Sequence, residues 1–394
     1  MRDQAEKIKD EIIRLRRDIH QHPELGFEEV RTARLVADTL TEIGGIEIKT
    51  GVGLTGVLGQ IGTGEGPTIG IRADMDALPL DEQVDKPFKS VNAGVMHACG
   101  HDAHTAMLLG AAHLLRQSFA ENQDKWQGNV RFLFQPCEEK FDADGVSGAT
   151  AMIADAAMED VDYVISVHVG STKEAGICYF WDGPTLAAPD TFEGKIFATG
   201  GHGAFPHRGT DPIFMLNTVL GNLFAIRSRY INPLDSSVIS VGAIHTGTAP
   251  NIIPAEIYLN GTIRSHKTEI RERLWAEIER AFSLVEGMGG RYELDIIRGY
   301  PPLINSSKVN QWMKSAALDL YGEDQVVDEP MGMAGEDFAY MANKAPGAMF
   351  SLGAMIEGGG GHHTPLFDID EEVLPIGSAV LAETARRFVM GEIS

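Results

Sequence analysis

Between Met96 and His104 the chain reads Met-His-Ala-Cys-Gly-His-Asp-Ala-His. Three imidazoles (His97, His101, His104), the Cys99 thiol and the Asp102 carboxylate thus fall in one short run. Packing alone gives no reason for so many donors together. Histidine and cysteine are the usual ligands of zinc and its neighbours, and the Ala and Gly spacers let the backbone turn tightly around an ion. The competing reading is a redox thiol beside surface histidines.

Further donors recur along the chain. Glu138 and Glu139 follow the apolar run Phe132-Leu-Phe134. Neighbouring side chains of an extended chain point apart, so one Glu can ligate a metal while the other takes a proton from water. His168 ends Val164-Ile-Ser-Val-His168 and is either a satisfied core histidine or a ligand at a strand end. His362 and His363 lie on the loop Gly361-His-His-Thr-Pro365, where one of them would complete a metal shell. Asp74 and Asp76, in Arg72-Ala-Asp-Met-Asp76, are turn residues or the carboxylates that orient a ligand imidazole. His202 and His207 sit in a glycine-rich loop, where a histidine could donate to a developing oxyanion. Arg264 closes Gly261-Thr-Ile-Arg264 and could grip a carboxylate by two contacts, an ordinary solvated Arg being the alternative.

These residues need a scaffold. Ile8, Ile12, Leu15 and Ile19 predict an amphipathic helix over 4–20. Strands are expected at 68–72, 129–134 and 163–167, with a helix over 103–117 between the first two. This alternation marks an α/β domain with a mainly parallel sheet, whose binding crevice lies at the carboxyl ends of the strands. Asp74 with Asp76, Glu138 with Glu139, and His168 each follow one of those strands, which argues for one composite site. From about Asp190 the pattern becomes β-α-β-β-α-β, with strands at 191–197, 237–243, 255–264 and 292–297 and helices at 211–227 and 268–285. That is the order of a ferredoxin-like α+β sandwich. The expected organisation is a catalytic domain of 1–189 and 303–394, interrupted by an inserted domain of 190–302.

At 394 residues the chain exceeds one ordinary domain. Its net charge of −23 argues against nucleic acid as a partner, because phosphates would be repelled. Three cysteines do not make a disulfide framework. Neither the opening residues nor any later run has the apolar stretch of a signal or a membrane span. The expectation is a cytoplasmic enzyme with no membrane partner.

Taken in order, RADMDALP (72–79), MHACGHDAH (96–104), FQPCEE (134–139), GGHGAFPH (200–207), APNIIP (249–254), GTIR (261–264), GEDF (335–338) and HHTP (362–365) resemble the motifs of one family. These are the di-metal amidohydrolases: aminoacylases, hippurate hydrolases, auxin-conjugate hydrolases and N-acyl-diaminopimelate deacetylases. The opening RRDIHQHPELGFEE (16–29) resembles theirs too, so the likeness spans the chain. It implies a di-metal exopeptidase-like catalytic domain whose inserted domain serves as lid and dimerisation surface of a homodimer. Two close divalent ions would be held by Cys99, His101, Glu139, His168 and His363, with Cys99 shared. Zinc or manganese come first, with cobalt and nickel as alternatives. His363 is preferred to His362 because the family's ligand precedes a Ser/Thr-Pro pair. Glu138 would be the general base, and Asp74 and His202 complete the catalytic set. His202 would stabilise the oxyanion by reaching into the active site of a partner subunit. Asn251 and Arg264 would hold the carboxylate of the substrate.

The reaction this implies is hydrolysis of the amide of an N-acetyl, N-benzoyl or similar N-acyl amino acid, or of a small related conjugate. The alternatives are a dipeptidase or carboxypeptidase of the same chemistry, a non-catalytic protein that binds a metal or a conjugate, and a hydrolase with Cys99 as nucleophile. Two segments depart from the family pattern. Residues 140–147 add Asp142 and Asp144 after FQPCEE, and Cys178-Tyr-Phe-Trp181 is unusually bulky. Both could reshape an acyl pocket.

Overall fold

The computed structural model describes residues 1–330 and 332–393, which fold as two compact units. The first takes in Met1–Gly183 and two later stretches that begin at Ile304 and Tyr340. The second takes in Pro184–Leu303 and Gly332–Ala339. The expected boundaries left 332–339 with the catalytic domain. That short segment instead joins the second unit, where the Ala187 N–H donates to the Ala334 carbonyl at 2.9 Å.

The first unit is built on an eight-stranded mixed sheet. Its order is Glu47–Val52, Gly56–Gly62, Asn129–Gln135, Thr68–Asp74, Tyr163–Gly170, Gly347–Gly353, Cys178–Phe180, Val326–Asp328. The central four strands, Asn129–Gln135 through Gly347–Gly353, are mutually parallel, and antiparallel pairings flank them on both sides. Thr68–Asp74 is buried at every position, Arg72 and Asp74 included, which is why it reads as a continuous run rather than an alternation. Ile71, Phe132, Phe134, Ile165, Val167 and Phe350 from these strands share one core with Met107, Leu108 and Leu115 of the His101–Asn122 helix. Each such side chain contributes about 1.5–3 kcal/mol by leaving water. The expected N-terminal helix is two helices, Arg2–Lys7 and Lys9–Gln21. Because the central strands are parallel and in register, Asp74 lies opposite Gln135 and Ser351 opposite His168. Their carboxyl ends therefore share one end of the sheet.

The second unit is an antiparallel sheet ordered Ser237–His245, Glu256–Ser265, Ala188–Phe197, Arg291–Ile297. With helices Pro212–Arg229 and Thr268–Ser283 this is the ferredoxin-like connectivity. Ala188–Phe197 alternates buried and outward residues, as expected of a sheet covered on one face. Phe192 and Ile196 pack with Val219, Leu223, Ile278 and Phe282. Asp190, fully buried, accepts two bonds from Arg271 (2.8 and 2.5 Å), one from Trp275 Nε1 (2.8 Å) and one from the Gly299 N–H (2.8 Å). A buried carboxylate satisfied on every side ties the start of this unit's first strand to the end of its last. Among the described residues no helix is long and apolar enough to cross a membrane.

Candidate metal centre

The donor-rich run turns at Gly100, whose φ of 94° is left-handed and where a Cβ would come 2.3 Å from a Val169 methyl. Glycine is the residue that tolerates both conditions. The His101–Asn122 helix starts immediately after, so Cys99 and His101 leave the turn beside the strand ends.

Hydrogen bonds then sort the imidazoles. A neutral ring has one N–H and one lone pair, so a nitrogen that accepts a hydrogen bond is unavailable to a metal and its partner nitrogen carries the proton. His104 Nε2 accepts from the Val169 N–H at 2.9 Å, and its Nδ1 donates to Asp74 at 2.7 Å. His362 Nε2 accepts from the Ser171 N–H at 3.2 Å. Burial depresses His104 to about 4 and His362 to about 3, so both rings stay neutral; the His362 Nδ1 is buried without a hydrogen-bond partner.

His101, His168 and His363 are placed differently. His101 Nδ1 donates to Asp76 at 3.0 Å, which leaves a buried Nε2 with no hydrogen-bond partner. His168 Nδ1 donates to the Val169 carbonyl at 2.8 Å, and its Nε2 stands 3.6 Å from Cys99 Sγ. His363 Nε2 lies 3.1 Å from Glu139 Oε1, and the His363 N–H donates to the Ala98 carbonyl at 2.8 Å, docking this loop onto the donor run. His97 is buried with neither nitrogen hydrogen-bonded, and it joins no donor group among the described residues.

Two triads of donor atoms result. Cys99, His101 and His168 form one, and Cys99, Glu139 and His363 the other; within each the donor atoms lie within 4.8 Å of one another. Cys99 belongs to both. Glu138 and Glu139 make a further group with His101. Burial, then the carboxylates of Glu139, Glu138 and Asp74, push the Cys99 thiol well above its ordinary range. Burial opposes charge on His101, yet Asp74 and Asp76 lift it to about 10. A pocket so rich in negative charge, with an orphaned imidazole nitrogen at its centre, fits divalent cations bound by thiolate, imidazole and carboxylate.

The two aspartates divide their work in a way spacing did not reveal. Asp76, rather than Asp74, receives the His101 Nδ1–H, and its second oxygen accepts the Glu139 N–H at 3.0 Å. Asp74 takes His104 and, at 2.7 Å, Arg72 Nη1; its nearest approach to His101 Nε2 is 3.6 Å. Two other contributors escaped the sequence reading. Buried Arg16 donates to Asp102 at 2.7 Å behind the donor run, and Glu29 accepts the Cys137 N–H at 2.8 Å just before Glu138. Their one signal was membership in RRDIHQHPELGFEE. The 140–147 segment closes on itself, because Asp142 Oδ1 accepts the N–H groups of Asp144 and Val146 at 2.9 and 2.8 Å. Cys178–Phe180 is a buried strand, with Phe180 stacked 5.2 Å from Phe350, and Trp181 just beyond it is exposed.

In the second unit His202 is exposed on its loop, and its Nδ1 accepts the Ala204 N–H at 3.1 Å. The loop is zipped to the segment bearing Asn251 by the Gly203 N–H, which donates to the Asn251 carbonyl at 2.8 Å. Arg264 is half-buried, with Nη1 turned onto Thr262 and the Ile263 carbonyl.

The profile described as Peptidase family M20/M25/M40 matches residues 70–387. The chain belongs to that family. It is 39% identical over 395 residues to thermostable carboxypeptidase 1 of Saccharolobus solfataricus, covering 98% of each. It is 38% identical over 387 residues to N-acetyl-L-cysteine deacetylase of Bacillus subtilis, covering 97% of this chain and 89% of that one. Among solved structures it resembles a Bacillus subtilis dinuclear metal-binding peptidase of the M20 family, with a TM-score of 0.84, 34% identity, and 98% and 99% of the two chains covered. This member of the M20/M25/M40 family is a metal-dependent amidohydrolase.

Proposed function

We propose that this protein hydrolyses the amide bond of N-acyl amino acids, N-acetyl or N-benzoyl forms among them, or of small related conjugates, at a site for two divalent ions. The observation that carries the reading is the pair of donor triads sharing Cys99, with Glu138 beside them. Cys99, His101, Glu139, His168 and His363 would hold the ions; their thiolate and imidazole donors favour zinc, and their carboxylate admits manganese, cobalt or nickel. When bound, the ions supply a water acidified toward neutral pH and a Lewis acid for the scissile carbonyl.

Glu138 takes the proton of the attacking water and returns it to the departing amine. Asp76 fixes the tautomer and direction of His101. Because His202 Nδ1 accepts a backbone N–H, its Nε2 carries the proton, which is the donor an oxyanion requires. Asn251 and Arg264 are assigned to the substrate's carboxylate, Arg264 through the nitrogens that do not face its own strand.

A thiol pushed well above its ordinary range is a poor nucleophile, which counts against a Cys99 covalent mechanism. The carboxypeptidase relative supports a second reading, cleavage of a peptide's terminal residue by the same groups. Exposed Ile213, Phe214 and Phe224 along the Pro212–Arg229 helix support a homodimer through the second unit. The three free cysteines support a cytoplasmic setting.

The test is elemental analysis of the purified protein together with hydrolysis of N-acetyl and N-benzoyl amino acids and of free dipeptides, before and after chelation and metal re-addition. Two ions per chain, with N-acyl cleavage lost and restored in step, is the expected result. Cleavage confined to peptides would favour the second reading, and no bound metal would overturn both.

A further inference from the structure

We propose that Glu29 is a positioning residue that fixes the backbone on which Glu138 and Glu139 stand. The inference rests on the reading of those two residues as proton carrier and ligand.

The strand Asn129–Gln135 has to deliver two consecutive carboxylates, and the chain between bends sharply at Cys137. Cys137 has φ 45°, in the left-handed region. For a residue with a side chain this conformation costs about 1–2 kcal/mol and persists only when its surroundings impose it.

Those surroundings come from far along the chain. The Cys137 N–H donates to Glu29 Oε1 at 2.8 Å, and the Cys137 carbonyl accepts the Gly148 N–H at 2.8 Å. Glu29 is fully buried, and its other oxygen accepts the Thr55 hydroxyl at 2.5 Å. The segment around it is moulded to the turn: a Cβ on Gly26 would lie 2.6 Å from Cys137 Sγ. On the far side of Glu138, Asp76 Oδ2 accepts the Glu139 N–H at 3.0 Å. Two buried carboxylates therefore hold the backbone N–H groups on either side of Glu138.

Glu29 is not there for want of a cheaper filler. Burial, reinforced by the charge of Asp76, pushes Glu29 up to about 7. An apolar residue of similar size would avoid that penalty but could not accept the Cys137 N–H. With the acceptor gone, the turn loses its anchor and both carboxylates drift from their positions, where misplacement by about 1 Å can cost on the order of a hundredfold in rate.

The experiment compares Glu29→Gln, Glu29→Asp and Glu29→Ala in the full-length, metal-reconstituted protein. It reads zinc affinity by chelator competition, kcat and KM on the best N-acyl substrate, and thermal unfolding. Gln keeps an acceptor oxygen at the same reach, so zinc affinity and kcat should stay close to wild type. Asp keeps the charge but retracts the oxygen by one methylene, and Ala removes it. Both should lose about 10- to 100-fold in kcat and in zinc affinity, with KM little changed.

A Glu29→Ala protein that is less stable but matches wild type in kcat and zinc affinity would reduce Glu29 to packing and overturn the proposal. Should Glu29→Ala fail to fold, the other two variants decide. Asp active with Gln impaired means that charge matters, not reach, and again overturns it. If the wild type binds zinc but hydrolyses no substrate, the functional reading fails on its own, and the affinity measurements still judge Glu29.

Discussion

Replacing Asp76 by Ala should strip metal from this protein more effectively than any other substitution of a residue that is not itself a ligand. Asp76 is 1% exposed and uses both oxygens: Oδ1 takes the His101 Nδ1–H at 3.0 Å and Oδ2 the Glu139 N–H at 3.0 Å. Removing the partner of a ligating imidazole typically costs 10- to 100-fold in metal affinity, about 1.4–2.8 kcal/mol. Here the same change also takes its acceptor from the half-buried Glu139 N–H, a hydrogen bond with a net contribution of about 0.5–1.5 kcal/mol. His101 and Glu139 lie in different donor triads, so both ions should feel the loss, and the upper end of the range applies. Chelator competition followed by elemental analysis would read the affinity, and kcat at saturating metal would separate occupancy from geometry. The expected result is a shift of about a hundredfold in the metal dependence, with partial recovery of kcat at high metal. If Asp76→Ala binds metal like wild type while Asp74→Ala loses it, the orientation of His101 belongs to Asp74 and the reasoning is wrong.

Glu138→Gln should retain both ions and lower kcat by about 10²- to 10⁴-fold, the usual weight of a general base; loss of an ion instead would make Glu138 a ligand. His363→Ala should lose metal, whereas His362→Asn should keep its full metal content and forfeit only about 1 kcal/mol of stability in a denaturant titration. Equal metal loss in the two would overturn the tautomer argument. The folded protein holds a proton on Glu29 up to about 7, against 4.5 for an ordinary glutamate, with Asp76 the charged group facing it. A carboxyl whose folded pKa is raised contributes stability that is complete below the ordinary pKa and is lost as pH rises through the folded value. Stability attributable to Glu29 should therefore fall by about 3 kcal/mol between pH 4.5 and 8. Urea midpoints measured across that range should show a smaller decline in Glu29→Gln, and identical slopes would refute the assignment.

Residue type and strand-end position were enough to nominate candidates, because few side chains bind metals and a parallel sheet collects its loops at one end; the set of five ligands came from the resemblance. They could not divide the donors among roles. His101 and His104 share a helix and a spacing, yet a Val169 N–H fills His104 Nε2 and nothing fills that of His101. Asp74 and Asp76 both follow one strand, and which of them meets which imidazole depends on a helix placed from elsewhere. The preference for His363 over His362 came from a resemblance; the Ser171 N–H on His362 Nε2 is a criterion no sequence displays. Gly347–Gly353 went unassigned because a short apolar run flanked by glycine reads equally as loop, strand or helix fragment. The bulk of Cys178–Trp181 is visible in the sequence, whereas the burial of Cys178–Phe180 in the sheet is not. The Cys137 turn and its Glu29 anchor join positions 108 residues apart, beyond any local pattern.

The place of Gly347–Gly353 in the sheet has a consequence for how the protein is made. This strand is the last of the eight to leave the ribosome, yet it pairs in the interior, between Tyr163–Gly170 and Cys178–Phe180. Until it arrives, one side of Tyr163–Gly170 stays open through the synthesis of the entire second unit, roughly ten to forty seconds at ordinary elongation rates. His363 emerges only afterwards, so a nascent chain possesses Cys99, His101 and His168 without the triad that needs His363. The second triad is thus deferred until residue 363 has emerged, and a chain stopped short of residue 347 would present a bare strand edge to its neighbours in the polysome.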